Sequence, residues 1–370
     1  MRRCPALVDG LPGLSRAAAW SRTCHRDGGV VRGRSALGSA AGWRRTAGGN
    51  VGPMADSRRF RFSTNVFGLT SRAEFASFAQ LVEALGYDTL FAADHLGSYA
   101  PFQMVVAAAQ ATTRIKLGTL VLNVPFWNPA LLAREIETAD VLTDGRLEVG
   151  LGAGNMKWEF EASGIPWEGF GARAERLEQA IEEIGRIFAR GGYEQCRAAD
   201  EHFGTKPLRP AQRVGFGGFG PPLIVAGSGE RVLRVAGRHA TIIGIGGVKQ
   251  APGKPPGTLR LCSAAEADEV IRFARAQVGD RADDIEWNVL VQLVKVTGDR
   301  PSVAAELEKH FGGTLSADEV METPFLLFGT VDEIAGQITR NRERYGFTYY
   351  TVHAPFAEEF APVIERFGVP

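Results

Sequence analysis

A carboxyl group and an imidazole stand side by side at Asp94-His95, directly after a strand-like apolar segment. An imidazole accepts or donates a proton near neutral pH, so His95 is the residue of this pair that could act as an acid or a base. The alternative is that Asp94 only caps the next turn and that His95 is an ordinary hydrogen-bonding residue. We take His95 as the candidate catalytic residue.

Two further strand-like segments end in small or polar residues. The segment 118–123 ends at Asn123 and continues into Val124-Pro125, so it could form a wall of a cofactor slot or be an ordinary strand with a proline-rich exit. The segment 150–155 contains three glycines, which let the backbone approach a planar ring or a phosphate. It is not a Rossmann fingerprint, because Asn155 occupies the position of the third glycine.

A fourth candidate site is Ala226-Gly227-Ser228-Gly229, which leads into a predicted helix that begins near Glu230. Free backbone N–H groups and the positive end of a helix dipole favour a phosphate at such a place. The alternative is a plain strand-to-helix turn. A nucleotide-triphosphate P-loop is excluded because no Lys-Ser/Thr pair follows the glycines.

The elements that carry these residues alternate between short apolar runs and segments of helical periodicity, which is typical of a parallel sheet. Eight of these units in about 310 residues favour a (β/α)8 TIM barrel with insertions at the C-terminal face over a doubly wound open sheet. A Gly/Pro-rich stretch, 246–257, is one such insertion, and Thr330 to Glu333 predicts a capping box. The predicted strands are 60–67, 88–92, 115–122, 146–151, 223–226, 240–245, 285–296 and 349–353.

The chain has 370 residues with 42 basic and 42 acidic side chains, a balance that gives no support for a nucleic-acid partner. Residues 1–53 differ, with nine arginines against Asp9 and Asp27. A disordered basic tail, a transit peptide and translated upstream sequence before Met54 are the three interpretations, and we favour the last. We expect the folded domain to span 58–370.

The four cysteines show no C-x-x-C spacing, so neither a zinc site nor a disulfide framework is predicted. A reducing cytoplasm is therefore the expected location. No apolar stretch approaches the roughly 20 residues that a membrane span requires, so we expect no membrane association.

Four segments occur in an order and spacing that resemble the luciferase-like monooxygenase superfamily, in its branch that uses coenzyme F420. They are GYDTLFAADH, LGTLVLNVPFWNPALLAREIETADVLTDGRLEVGLGAGN, IVAGSG and LFGTVDEIAGQI. The resemblance runs from about Phe60 to the C-terminus. It implies a TIM barrel that binds F420, or alternatively flavin mononucleotide (FMN), at the C-terminal mouth, usually in a homodimer.

The resemblance also implies roles for residues. His95 would lie beside the reactive ring with Asp94 next to it, and a cis peptide would form a bulge near Leu120-Val121. Ala153, Gly154 and Asn155 would line the ring or its ribityl chain, and Ala226 to Gly229 would hold the phosphate. Asn155 stands where the sugar-phosphate dehydrogenases of the branch carry a catalytic glutamate, which puts sugar-phosphate oxidation in doubt because an asparagine is not an acid.

Three hypotheses for the function follow. The first is F420-dependent hydride transfer to or from a small organic substrate, with His95 moving the proton. The second is a two-component monooxygenase that uses reduced FMN and oxygen, and the third is a barrel that only binds a ligand. A flavin or F420 reductase is an expected partner. The substrate pocket would lie among segments rich in aromatic residues or glycine, namely 96–101, 126–127, 158–167 and 246–256.

Overall fold

A computed structural model describes residues 58–68, 71–191, 193–196, 201–204, 206–255 and 257–368. The basic segment 1–53 lies outside these residues, and so does the interpretation of it. Within the described part of the chain, no helix combines the length and the apolar character needed to cross a bilayer.

Eight parallel strands close into a barrel, which confirms the predicted TIM-barrel fold. Neighbouring strands follow the order β1-β12-β9-β6-β5-β4-β3-β2 around the barrel. The strands of the described chain are β1 (Arg61–Val66), β2 (Thr89–Ala92), β3 (Lys116–Asn123), β4 (Leu147–Gly152), β5 (Leu223–Ala226), β6 (Ile242–Ile245), β7 (Val248–Gln250), β8 (Leu259–Leu261), β9 (Glu286–Leu290), β10 (Leu293–Val296), β11 (Leu326–Gly329) and β12 (Tyr349–His353).

Helices surround the barrel and bury their apolar faces against its outer surface. The capping box at Thr330 is present, with the Thr330 side chain accepting from Glu333 N and the Glu333 carboxylate accepting from Thr330 N. The helices named here are α1 (Arg72–Ala84), α2 (Pro101–Ala111), α3 (Pro129–Leu142), α4 (Lys157–Ser163), α5 (Phe170–Arg190), α6 (Glu230–His239), α7 (Ala264–Val278), α8 (Arg300–His310), α9 (Ala317–Glu322), α10 (Val331–Tyr345) and α11 (Ala357–Arg366).

The prediction of one continuous strand over 285–296 is wrong. The barrel strand β9 ends at Leu290, and Gln292 N then bonds to Phe325 O outside the barrel ladder. The chain continues as β10, which pairs in parallel with β11, a strand that was not predicted. The Gly/Pro-rich insertion is likewise not irregular throughout, because β7 and β8 form an antiparallel pair at its two sides.

Alternate residues of β1 and β12 point into the barrel and form three layers of contacts. From floor to mouth the pairs are Arg61–Tyr349, Ser63–Thr351 and Asn65–His353. The uppermost pair therefore lies at the C-terminal mouth, where ligands bind in barrels of this type.

The floor of the barrel is a network of buried charges around Glu148. Its carboxylate accepts hydrogen bonds from Arg61 at 2.5 Å, Lys116 at 2.9 Å and Tyr349 at 2.9 Å. Burial alone would raise the Glu148 pKa, but Arg61 and Lys116 together lower it to about 2. Glu286 binds the other side of the Arg61 guanidinium at 2.6 Å.

Candidate active site

His95 is held by a buried glutamate that sequence reasoning did not identify. The loop after β2 carries His95, and its Nδ1 lies 2.9 Å from Glu159 Oε1. Leu96 N donates to the same oxygen at 3.1 Å, and the Glu159 side chain, on α4, is fully buried. An anionic acceptor at Nδ1 fixes the proton there and leaves Nε2 as the ring nitrogen available for proton transfer.

Asp94 does not cap a turn; it joins the loop after β2 to the end of β3. Its Oδ2 accepts from Asn123 N at 2.9 Å and from Trp127 Nε1 at 3.2 Å. The Asn123 side chain returns a hydrogen bond from Nδ2 to Asp94 O at 2.7 Å. Burial raises the Asp94 pKa, although these hydrogen bonds oppose the shift. Asp94 and Asn123 thus position the loop that carries His95.

The bulge behind the mouth contains the cis peptide between Leu120 and Val121 that the resemblance implied. The pairing of β3 with β4 shifts register between Thr119 and Leu122. Two glycines of β4 accommodate it: a Cβ at Gly150 would lie 2.2 Å from Thr119 O, and one at Gly152 would lie 2.6 Å from a Val121 methyl carbon. Glycine at positions 150 and 152 is therefore explained by the close approach of β3 and not by phosphate binding.

The three residues after β4 have different surroundings. Ala153 is buried, Asn155 is exposed, and Gly154 has a φ of +75°, a conformation that disfavours side chains. Arg173 on α5 donates to the carbonyl oxygen of Gly154 and stacks over the ring of Trp167 at 3.7 Å. Gly154 and Arg173 together fix the turn between β4 and α4.

The turn between β5 and α6 offers fewer free N–H groups than predicted, because Gly227 N donates to Gly244 O at 3.0 Å. The N–H groups of Ser228 and Gly229 have no hydrogen-bond acceptor among the described residues. Arg231, which sequence reasoning missed, packs its guanidinium against Gly171 and has no carboxylate partner in the described chain. The turn therefore presents two N–H groups, a helix start and a cation.

A second imidazole lies at the mouth. His353 Nδ1 contacts Asn65 Oδ1 at 2.9 Å, and burial lowers the His353 pKa to about 4. The ring of Phe67 stacks on the His95 imidazole and lies tilted by 31° to the His353 imidazole, with a centroid distance of 5.8 Å to each. His353 is therefore neutral at physiological pH, and its only sequence signal was its place at the end of the last barrel strand.

A cavity of about 380 Å³ opens beside His95. The predicted pocket segment 96–101 and Trp127 line it, but Phe126 does not. Phe126 and Trp167 instead pack edge to face against Phe160, with centroids 5.0 and 4.9 Å away. Its lining includes Asp94, His95, Leu96, Tyr99, Gln103 and Trp127.

The chain matches a known family over most of its length. Residues 38–349 match the family described as luciferase-like monooxygenase. The chain belongs to this family of enzymes. The match begins within the segment 1–53, which we expected to lie outside the folded domain.

Curated relatives of this luciferase-like enzyme include two F420-dependent glucose-6-phosphate dehydrogenases. The protein from Intrasporangium calvum is 33% identical over 171 residues, covering 42% of this chain and 48% of its own length. The protein from Amycolatopsis mediterranei is 29% identical over 194 residues, covering 48% of this chain and 54% of its own length. The chain thus spans about half the length of these relatives.

Solved structures share the fold of this luciferase-like enzyme at low sequence identity. The F420-dependent tetrahydromethanopterin reductase of Methanopyrus kandleri aligns with a TM-score of 0.60 and 17% identity, over 83% of this chain and 97% of that one. A long-chain alkane monooxygenase aligns with a TM-score of 0.62 and 14% identity, over 84% of this chain and 92% of that one.

Proposed function

We propose that this chain is an F420-dependent oxidoreductase that transfers hydride between the deazaflavin and a small organic substrate. The curated relatives named as F420-dependent dehydrogenases support the choice of coenzyme. The observation that carries the reaction is the His95–Glu159 pair at the barrel mouth, because hydride transfer to or from an oxygen-bearing carbon requires a proton to move at the oxygen.

The residues present fit the coenzyme. Val121 at the bulge, seated against Gly150 and Gly152, offers a firm apolar support for a flat ring. The N–H groups of Ser228 and Gly229, together with Arg231, suit a phosphate group. When bound, the deazaflavin supplies the acceptor or donor of the hydride. Ala153, Gly154 and Asn155 lie on the turn after β4, which would flank the ring.

In the oxidative direction, the Nε2 atom of His95 takes the proton from the substrate hydroxyl. The hydride leaves the carbon that bears this hydroxyl. In the reductive direction, the same nitrogen returns the proton to the carbonyl oxygen. The Nδ1 atom donates to Glu159 in both directions, so that Nε2 takes up the proton in the neutral ring and returns it from the imidazolium, whose charge Glu159 balances. Asp94 and Asn123 keep the loop in place, since their hydrogen bonds join β3 to the segment before His95.

The second candidate is an FMN-dependent monooxygenase, which the description of the matching family favours. Equilibrium binding of the full chain to F420 and to FMN, followed by fluorescence, separates the two. We expect F420 to bind at least tenfold more tightly. Tighter binding of FMN, together with oxygen consumption when a flavin reductase is supplied, would replace the first function by the second.

The oligomeric state, the partner, the domain bounds and the location belong to the same proposal. We propose a homodimer, a reductase that recycles the coenzyme as a partner, and a catalytic domain that spans 58–370. Cys196 and Cys262 are free thiols, which supports a reducing cytoplasm as the location.

A further inference from the structure

The cavity beside His95 contains no lysine or arginine among the described residues that line it. Its ionisable lining groups are Asp94, His95, Tyr99 and Glu135. The Oδ2 atom of Asp94 accepts hydrogen bonds from Asn123 N and Trp127 Nε1. The start of α2 at Pro101 has no side-chain cap and brings the positive end of a helix to this lining, but a phosphate or carboxylate bound there would also face the carboxylates of Asp94 and Glu135 and would find no lysine or arginine.

Two arginines on neighbouring elements of the described chain are already engaged. Arg134 is paired with Glu135 at 3.7 Å, and Arg173 is engaged by Gly154 O and Glu168 O. The imidazole of His95 faces the carboxylate of Glu159, so the carboxylate already neutralises any positive charge on that ring. His353 is neutral at physiological pH because burial lowers its pKa to about 4.

The surfaces around His95 are apolar instead. Leu96, Tyr99 and Phe67 are 40%, 53% and 40% exposed, and the Phe67 ring stacks against the His95 imidazole. Such surfaces gain from covering by an aromatic or alicyclic skeleton. The lining offers a small ligand the Nε2 of His95 and the neutral polar side chains of Ser98, Tyr99 and Gln103.

We propose that the site takes an uncharged alcohol, or the matching carbonyl compound, with an apolar skeleton, and that it does not take a sugar phosphate. This inference rests on the proposed function, because it names the substrate of the same site. In the oxidative direction the C–H hydride passes to the oxidised F420, the hydroxyl proton passes to His95, and the carbonyl compound is released. The relatives named as glucose-6-phosphate dehydrogenases would then differ from this chain in substrate.

A matched pair of fluorescent probes tests the charge preference without turnover. 1-Naphthol and 1-naphthyl phosphate share one ring system and differ by the phosphate. We expect 1-naphthol to bind the full chain at least tenfold more tightly. The titration is repeated in the Arg231→Gln variant, so that phosphate bound at the start of α6 is not counted as binding beside His95.

Two lysine variants on α2 locate the effect. Gln103→Lys adds a cation to the lining, and we expect it to bring the affinities for the two probes within about threefold of each other. Gln110→Lys makes the same change two turns along the helix, outside the lining, and should leave the wild-type ratio in place.

The inference is overturned if the Arg231→Gln variant binds 1-naphthyl phosphate as tightly as 1-naphthol or more tightly. It is also overturned if 1-naphthol does not bind. Oxidation of glucose 6-phosphate by the wild-type chain with F420 would overturn it as well. Failure of the chain to bind F420 instead overturns the proposed function, and the probe titrations still report the charge preference of the cavity.

Discussion

At the scale of single residues, the candidate chemistry depends on how Glu159 orients His95. A carboxylate that accepts from Nδ1 holds the ring in one tautomer, whereas a neutral amide at the same place would hold the ring without stabilising its protonated form. Because Leu96 N shares the same carboxylate oxygen, Glu159 also fixes the backbone next to the imidazole.

We therefore expect Glu159→Gln to lower kcat by about 10²-fold while the affinity for F420 changes little. The pH profile of kcat should also shift, since the glutamine no longer stabilises the imidazolium. Glu161→Gln is the matched control, because Glu161 lies on the same helix but is exposed and pairs only with Lys157. An unchanged kcat and pH profile in Glu159→Gln would show that the pair does not act in proton transfer.

Sequence reasoning found His95 but not its partner, and the reason is geometric. Glu159 lies 64 residues further along the chain, and only the packing of α4 against the mouth brings its carboxylate to His95. Asp94 was the nearer acid in sequence, yet its hydrogen bonds point to Asn123 and Trp127. A pattern of residue types predicts which groups stand at a strand end, but not the tertiary contacts each of them makes.

At the scale of elements, the same limit explains which strands were predicted. The eight barrel strands were found because each is a short apolar run between helical segments. β10 was merged with β9 because only two residues separate the two apolar strands. β11 was missed because its apolar residues come directly before the helix that begins at Val331. Where the chain leaves the barrel at Gln292, the cause is a hydrogen bond to distant Phe325, which no local pattern shows.

The contact between β3 and β4 makes a second prediction. Gly152→Ala would place a methyl group 2.6 Å from a Val121 methyl carbon, so we expect the bulge to shift and F420 affinity to fall at least tenfold, with a stability loss of about 1–3 kcal/mol. Gly298→Ala is the control, since a Cβ there meets no atom within 4 Å. Wild-type affinity in Gly152→Ala would remove the bulge from the coenzyme site.

The barrel floor makes a third prediction, about pH. The folded-state pKa of Glu148 is lowered to about 2, so its contribution to stability is complete above the pKa of an unfolded glutamate and is lost as the pH falls through about 2. We expect Glu148→Gln to lower the free energy of unfolding by about 3–5 kcal/mol near neutral pH, because Arg61 keeps its buried charge.

Urea denaturation between about pH 7 and pH 3 measures both effects. The wild-type chain should lose more stability than Glu148→Gln over this interval, so the difference between them narrows in acid. Exposed Glu306→Gln should follow the wild-type curve at every pH. A constant difference between wild type and Glu148→Gln across the interval would contradict the role of the Glu148 charge.

At the scale of the whole molecule, the proposed homodimer needs a surface, and α3 offers one. Leu131, Glu135, Thr138 and Leu142 recur at helical spacing along one stripe of α3. Leu131 and Leu142, at the two ends, are 52% and 48% exposed. We propose that the two copies meet along this stripe, where each would cover the exposed leucines of the other.

We expect the wild-type chain to be a dimer at micromolar concentration and the double variant Leu131→Glu/Leu142→Glu to be a monomer, as measured by light scattering after gel filtration. The symmetry of a homodimer places each stripe against its copy, so two new carboxylates per chain become four like charges in one interface. Val214→Glu, which changes an exposed apolar residue elsewhere, should leave the dimer intact. A monomeric wild-type chain would rule out the dimer itself, whereas a dimeric double variant would place the interface on another surface.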